Sequence, residues 1–229
     1  MIPPLARALA AETIGTFALV FAGCGAIMVD AKTGALGHVG VAISFGLVIM
    51  VMIYALGHVS GAHLNPAVTL SFAFSRHFPG RRILPYWAAQ LAGALLAAAV
   101  LRGSLGNIAH IGATYPSGSD AQAFLWETVL TFFLMLVIMA VATDTRAVGE
   151  AAAIAIGATV GLDAMFGGPI TGASMNPARS LGPGIIAGDL QSIWVYLLAP
   201  VVGATVAAVA YALIRGETQA SPASAPGDA

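Results

Sequence analysis

Six apolar stretches, at about 5–29, 39–56, 83–101, 121–142, 151–166 and 193–214, take up most of this 229-residue chain. Each approaches or exceeds the roughly 20 residues that carry a helix across bilayer hydrocarbon. Lys32, Arg81, Arg146 and Asp189 fall in the gaps between them. Only 8% of the residues are charged and 59% are hydrophobic, whereas soluble domains carry about 25% charged residues. Too few polar side chains remain to coat a water-exposed surface, so the pattern predicts an all-α membrane protein with the lipid bilayer as its partner. The net charge of −1 supplies no basic field for nucleic acid. The single cysteine, Cys24, has no intramolecular partner and reads as a small packing residue. The first stretch contains Glu12 and is too long for a signal-peptide core, so it reads as a span.

The chain is duplicated. Glu12-Thr13, Thr16-Phe17 and Leu19 recur 115 residues later as Glu127-Thr128, Thr131-Phe132 and Leu134. Gly61-Ala62 and Asn65-Pro66-Ala67 recur 111 residues later as Gly172-Ala173 and Asn176-Pro177-Ala178. Gln90-x-x-Gly93-Ala94 is matched 110 residues later by Pro200-x-x-Gly203-Ala204. Residues 1–229 therefore read as one channel domain with a first repeat at 5–115, a second at 120–215, and a disordered tail at 216–229, rich in Ala, Ser and Pro. Each repeat holds three spans. An odd number inverts the second repeat in the membrane, which puts a pseudo-two-fold axis in its plane and a site at the midplane. The basic residues set the orientation: Arg7, Arg76, Arg81, Arg82, Arg146 and Arg215 against Lys32 and Arg102 place both termini in the cytoplasm.

Between the second and third spans of each repeat stands an Asn-Pro-Ala followed by a short apolar run. Asn is a strong N-cap and Pro is favoured at the first helical position, so each copy announces a helix too short to span the bilayer. Irregular backbone at that depth is tolerated only where it lines a cavity or is buried in protein. The expected fold is thus six transmembrane helices plus two re-entrant half-helices in an inverted repeat. The half-helices enter from opposite faces and point their positive dipole ends at one another, which opposes cations and protons. Each Asn is expected to cap its own helix through the side-chain oxygen, leaving its NH₂ free to donate into the pore. Carbonyls of 60–64 and 171–175 are expected to line one wall of that pore.

With these motifs in place, the chain resembles the aquaporin (major intrinsic protein) family over about residues 5–215. The run from Gly167 to Pro183, through Asn176-Pro177-Ala178-Arg179-Ser180, is similar to plant tonoplast- and nodulin-type members as well as to bacterial water channels. The resemblance implies a homotetramer with one pore per subunit. It also carries a four-position constriction onto Phe45, Ala164, Ala173 and Arg179. Arg179 has Val68 as its repeat counterpart, so repeat architecture does not demand the charge, and intramembrane arginine is normally functional. At Ala164 similar water-selective members commonly place His, so two methyl groups, Ala164 and Ala173, widen the filter. Ser180 points the other way, since glycerol facilitators usually carry Asp there. The implied function is a passive water channel that also passes small uncharged solutes and excludes protons and ions. The alternative is a facilitator mainly for glycerol, urea or undissociated metalloid acids.

Glu12 and Glu127 read as structural buried acids that accept hydrogen bonds from the irregular segments, a role the resemblance also implies. Asp163, where plant-type members tend to carry Asn, has three readings: an anchor for the chain ahead of the second Asn-Pro-Ala, a partner of Arg179, or a vestibule residue. His63 reads as a structural hydrogen-bonding residue or as part of the inner pore, and His77 as a solvated residue beyond the first half-helix. His58 and His63, five apart on a loop, are poor metal ligands, and no metal, cofactor or catalytic residue is expected. Gly157, Gly161, Ala89, Gly93 and Ala97 read as close-packing positions. A secondary transporter would need titratable midplane sites beyond Glu12 and Glu127, an ion channel would need rings of charge, and an enzyme would need a nucleophile–base pair. The short chain and minimal loops point to a prokaryotic plasma membrane.

Overall fold

The computed structural model describes residues 3–143 and 151–215; Arg146 and the tail at 216–229 lie outside the described residues. Among the described residues there are eight α-helices: α1 (Pro4–Thr33), α2 (Gly37–Ser60), α3 (Pro66–Phe74), α4 (Ile83–Leu105), α5 (Asp120–Thr143), α6 (Ala152–Thr171), α7 (Pro177–Ala187) and α8 (Ile193–Arg215). All except α3 and α7 are long and apolar enough to cross a membrane. At 1.5 Å per residue, the 9 residues of α3 and 11 of α7 reach only about half of a roughly 30 Å hydrocarbon core.

Four helices, α1, α2, α4 and α6, run past the C-terminal ends of their apolar stretches. α1 continues past 29 to Thr33, where Gly34 takes the left-handed conformation and returns its N–H to Asp30 O. The Asp30 carboxylate then accepts the N–H groups of Leu36 and Gly37, which start α2. α6 passes through Gly167-Gly168-Pro169 and ends at Thr171. Proline cannot donate to the carbonyl four residues back, which here belongs to Met165. His38 of α2 fills that place, its Nε2 lying 2.7 Å from Met165 O. Because a carbonyl only accepts, Nε2 carries the proton.

The packing is pseudo-symmetric. α1 packs on α4 as α5 packs on α8, and α2 packs on α6 across the repeats. Small residues set these distances. A Cβ added at Gly93 would fall 2.3 Å from Thr13 O, and one added at Gly203 would fall 2.2 Å from Thr128 O, its repeat counterpart. Gly46 and Gly157 approach one another equally closely across α2 and α6. Apolar side chains at Val39, Ile43, Leu47 and Val51 on α2, and at Leu198, Val202, Val206 and Val209 on α8, face outward. The helical spacing of three or four gives each a continuous apolar stripe suited to hydrocarbon or to another subunit.

Gly93→Ala or Gly203→Ala should therefore push the paired helices apart and lower stability by about 1–3 kcal/mol. Gly103→Ala, where an added Cβ meets nothing within 4 Å, should be neutral or stabilising. Thermal unfolding of the three purified variants separates the two cases.

Candidate functional site: a pore between two half-helices

Each re-entrant segment is held by one buried carboxylate. Glu12 Oε1 accepts from Ser60 Oγ at 2.7 Å and His63 N at 2.9 Å, and its Oε2 accepts from Leu64 N at 2.7 Å. Glu127 repeats the pattern with Thr171 Oγ1 at 2.7 Å, Ser174 N at 2.8 Å and Met175 N at 2.7 Å. The segments need such support because four non-glycine residues in them have positive φ: Ala62 and Leu64, and Ala173 and Met175. A left-handed non-glycine residue costs on the order of 1–3 kcal/mol and persists only where its surroundings over-determine it. Two tyrosines tie down the other side, Tyr86 OH donating to Ser60 O and Tyr196 OH to Thr171 O. These tyrosines are 110 residues apart, a repeat match that the single-residue signal left hidden among aromatic anchors.

The two asparagines meet at the centre. Asn65 Oδ1 accepts from Ala67 N, and Asn176 Oδ1 accepts from Ala178 N and Arg179 N. Each Nδ2 then crosses to the opposite segment: Asn65 donates to Met175 O and Asn176 to Leu64 O, both at 2.8 Å. This corrects the expectation of a free NH₂. One of its two hydrogens joins the half-helices, and one remains for the pore. Leu64 O and Met175 O each give one of their two lone pairs to this crossing.

The cavity runs past both asparagines between apolar walls that include Leu19, Ile49, Val68, Leu134 and Ile156. Phe45, Ala164, Ala173 and Arg179 all line it. Its volume is about 110 Å³, against about 540 Å³ for the vestibule outside it, and the two share Phe45 and Ala164. Arg179 is 2% exposed. Its Nη1 donates to Gly112 O at 2.8 Å, and its Cζ sits 5.0 Å from the Phe45 ring centroid. Nε and Nη2 are buried without a protein acceptor.

Residues that carry no motif build this arginine's frame. Gly112 lies in the turn Ile108–Gly112, where Ala109, His110 and Ile111 all have positive φ. Cys24 packs against it, with Sγ 3.6 Å from Gly112 O. Thr114, Ser180 and Ser174 form a buried hydroxyl chain with steps of 2.7 and 2.6 Å. Ser174 gives its hydrogen to Asn176 O, so Ser180 donates to Ser174 and Thr114 to Ser180. Gly23 matters by omission, since a Cβ there would fall 2.1 Å from the Phe45 ring. At the vestibule Tyr115 remains a neutral hydroxyl, burial and the neighbouring Asp189 pushing it up to about 12.

His63 both bonds Thr69 and lines the cavity. Thr69 gives its own hydrogen to Asn65 O, so His63 Nδ1 is the donor of that pair and Nε2 stays an acceptor. The rings of Phe72, Phe78 and Tyr86 surround it. Asp163 is 2% exposed, and its Oδ2 has no hydrogen-bond partner. The N–H groups of 173–176 go to Thr171, Glu127 and Ser174, and Arg179 Nη1 goes to Gly112 O. Asp163 is thus brought to neither, nor does it line the vestibule. His58 and His77 stand apart from the cavity, and no cluster of three metal-ligating side chains occurs among the described residues. Glu12→Ala or Glu127→Ala would strand two backbone N–H groups and a hydroxyl, at about 1–3 kcal/mol each. Folded yield should fall sharply for both, and yields equal to wild type would contradict the role given to these carboxylates.

Comparison with known proteins places this geometry. Residues 2–211 match the family model described as Major intrinsic protein. Aquaporin NIP1-1 of Oryza sativa subsp. japonica is 53% identical over 214 residues, covering 93% of this chain and 75% of that protein. Nodulin-26 of Glycine max is 50% identical over 214 residues, covering 93% and 79%. Among solved structures, the aquaglyceroporin from Plasmodium falciparum superposes with a TM-score of 0.78 at 30% identity, covering 90% of this chain and 95% of that one. Six long apolar helices, two capped half-helices and these matches together make the chain a member of the major intrinsic protein (aquaporin) family of multi-pass membrane channels.

Proposed function

We propose that this channel passes water together with a larger neutral solute such as glycerol, urea or an undissociated metalloid acid. The observation that carries the proposal is the lining of the cavity, where Ala164 and Ala173, each ending at a methyl group, accompany Arg179 and Phe45. Arg179 and the inward-facing hydrogens of Asn65 and Asn176 orient oxygen atoms, while the apolar wall keeps binding weak enough for release. Two half-helix N-termini and one arginine oppose cations, and a water that accepts from both asparagines cannot keep an unbroken proton wire. The relative named an aquaglyceroporin supports the wider solute range. Ser180 is the contrary feature. It is committed to Thr114 and Ser174, away from the lumen, which keeps the water-channel pattern beside a widened filter.

The same reading takes 5–115 and 120–215 as the repeats of one channel domain. It takes the Arg-bearing face as cytoplasmic with both termini inside, a plasma membrane as the host, and a homotetramer as the assembly, the last on family resemblance. In stopped-flow light scattering, proteoliposomes should exceed empty vesicles in water, glycerol or urea, and arsenite flux. Ala164→His should cut solute flux at least several-fold while sparing water. Solute rates equal to empty vesicles, with fast water, would reduce the proposal to a water channel.

A further inference from the structure

A third cavity, of about 340 Å³, opens on the face where α3 and α8 end. Its wall includes Phe74, Val209 and Leu213, which are 59%, 45% and 78% exposed. Its rim carries Arg76, His77 and Arg215. The apolar wall alone names no ligand, since any acyl chain suits it. The rim discriminates.

Arg76 sits in the left-handed turn that ends α3, with φ 64°. Its own N–H bonds Ala73 O, and the N–H groups of His77 and Phe78 bond Phe72 O. The backbone is therefore fixed and the guanidinium is carried outward. Among the described residues no carboxylate pairs with Arg76. Of the described acids, Glu12, Glu127 and Asp163 are buried, and Asp30, Asp120 and Asp189 belong to the opposite face. Arg7, Arg81 and Arg82 add positive charge to the Arg76 face. A cleft with an apolar wall and a cationic rim matches an amphiphile of net negative charge: acyl chains ending in a phosphodiester whose head group carries no cation of its own.

We propose that this cleft binds an anionic glycerophospholipid, its phosphodiester against Arg76 and Arg215 and one acyl chain along Phe74, Val209 and Leu213. The lipid would bridge the ends of α3 and α8, which already meet where Ser71 Oγ donates to Ala204 O at 2.9 Å. Occupancy thereby braces the half-helix whose other end carries Asn65. The proposal is independent of which solutes the pore admits.

The test is thermal unfolding of the full-length protein in detergent, with added phosphatidylglycerol, phosphatidylcholine, or inorganic phosphate at matched concentration. Native mass spectrometry of the same samples counts retained lipid. Phosphatidylglycerol should raise the unfolding midpoint by several degrees and remain as an adduct, while phosphatidylcholine and phosphate leave it unchanged. Arg76→Gln should lose at least half of that shift and Arg76→Gln/Arg215→Gln nearly all of it, with Arg81→Gln behaving as wild type. If a variant fails to fold, the lipid-class comparison on the wild type still decides. Equal shifts from both lipids, or a full shift in Arg76→Gln, would overturn the site. A shift reproduced by phosphate alone would make it a soluble-anion site and overturn the lipid. A shift that appears only once residues 216–229 are removed would place the chain's own tail in the cleft, with the same consequence.

Discussion

Two carboxylates buried among helices make the rest of this molecule possible. In hydrocarbon, a backbone N–H that finds no acceptor has no water to turn to. The segments 60–65 and 171–176 leave helical geometry at that depth, and in each the freed N–H groups converge on one glutamate. Only an ionised or polar acceptor with several lone pairs can serve two N–H groups and a hydroxyl at once. With those donors satisfied, the left-handed residues before each asparagine are held. The asparagines can then cap α3 and α7 and still reach across to Leu64 O and Met175 O. The two half-helices are thus joined through the same atoms that define the pore centre, so pore geometry and fold stability rest on one hydrogen-bond set.

The repeat is an architecture that the second half has altered. Gln90 adds a fourth donor to Glu12, from Nε2 at 2.8 Å, and also bonds Thr69. Pro200 stands in its place in the second half, and Glu127 has three donors, Thr171 Oγ1, Ser174 N and Met175 N. Val68 lines the pore in the first half where Arg179 does in the second. Thr69 likewise corresponds to Ser180, which joins the chain from Thr114 to Ser174. The changes concentrate on the side of the constriction. An inverted repeat gives two equivalent entrances, and only departures from symmetry make one of them a filter.

Much of the fold was legible because the bilayer limits the choices. Apolar length located the spans, and the order-preserving matches at offsets of 110 to 115 located the repeat. Asn-Pro-Ala marked helix starts by local chemistry that needs no partner. What stayed hidden depended on partners far away in sequence. The end of α6 looked broken by Pro169, and the donor that closes the gap is His38, 127 residues earlier. The free NH₂ expected of each asparagine ignored the carbonyl opposite, which exists only once both halves meet. Gly112, Thr114 and Gly23 carry no motif, yet they position Arg179, Ser180 and Phe45. Asp163 was legible as unusual and remains so, buried with an unpartnered oxygen.

The filter's two walls differ in how they are fixed, and the difference bears on selectivity. Arg179 is locked by its capping bond to Asn176, by Gly112 O, and by the Phe45 ring over its guanidinium. Phe45 is in turn backed by Gly23, where no side chain intrudes. That half of the ring cannot retreat to admit a bulky solute. The other half is Ala164 and Ala173, which end at Cβ and have no rotamers to adjust. A solute therefore meets a rigid polar edge and a rigid shallow one, and width is decided by side-chain length at two positions rather than by motion. An added side chain at Ala164 would project from α6 into a space already bounded on three sides. On the proposed assignment of the filter, discrimination among neutral solutes is a matter of fixed volume, set by what positions 164 and 173 leave out.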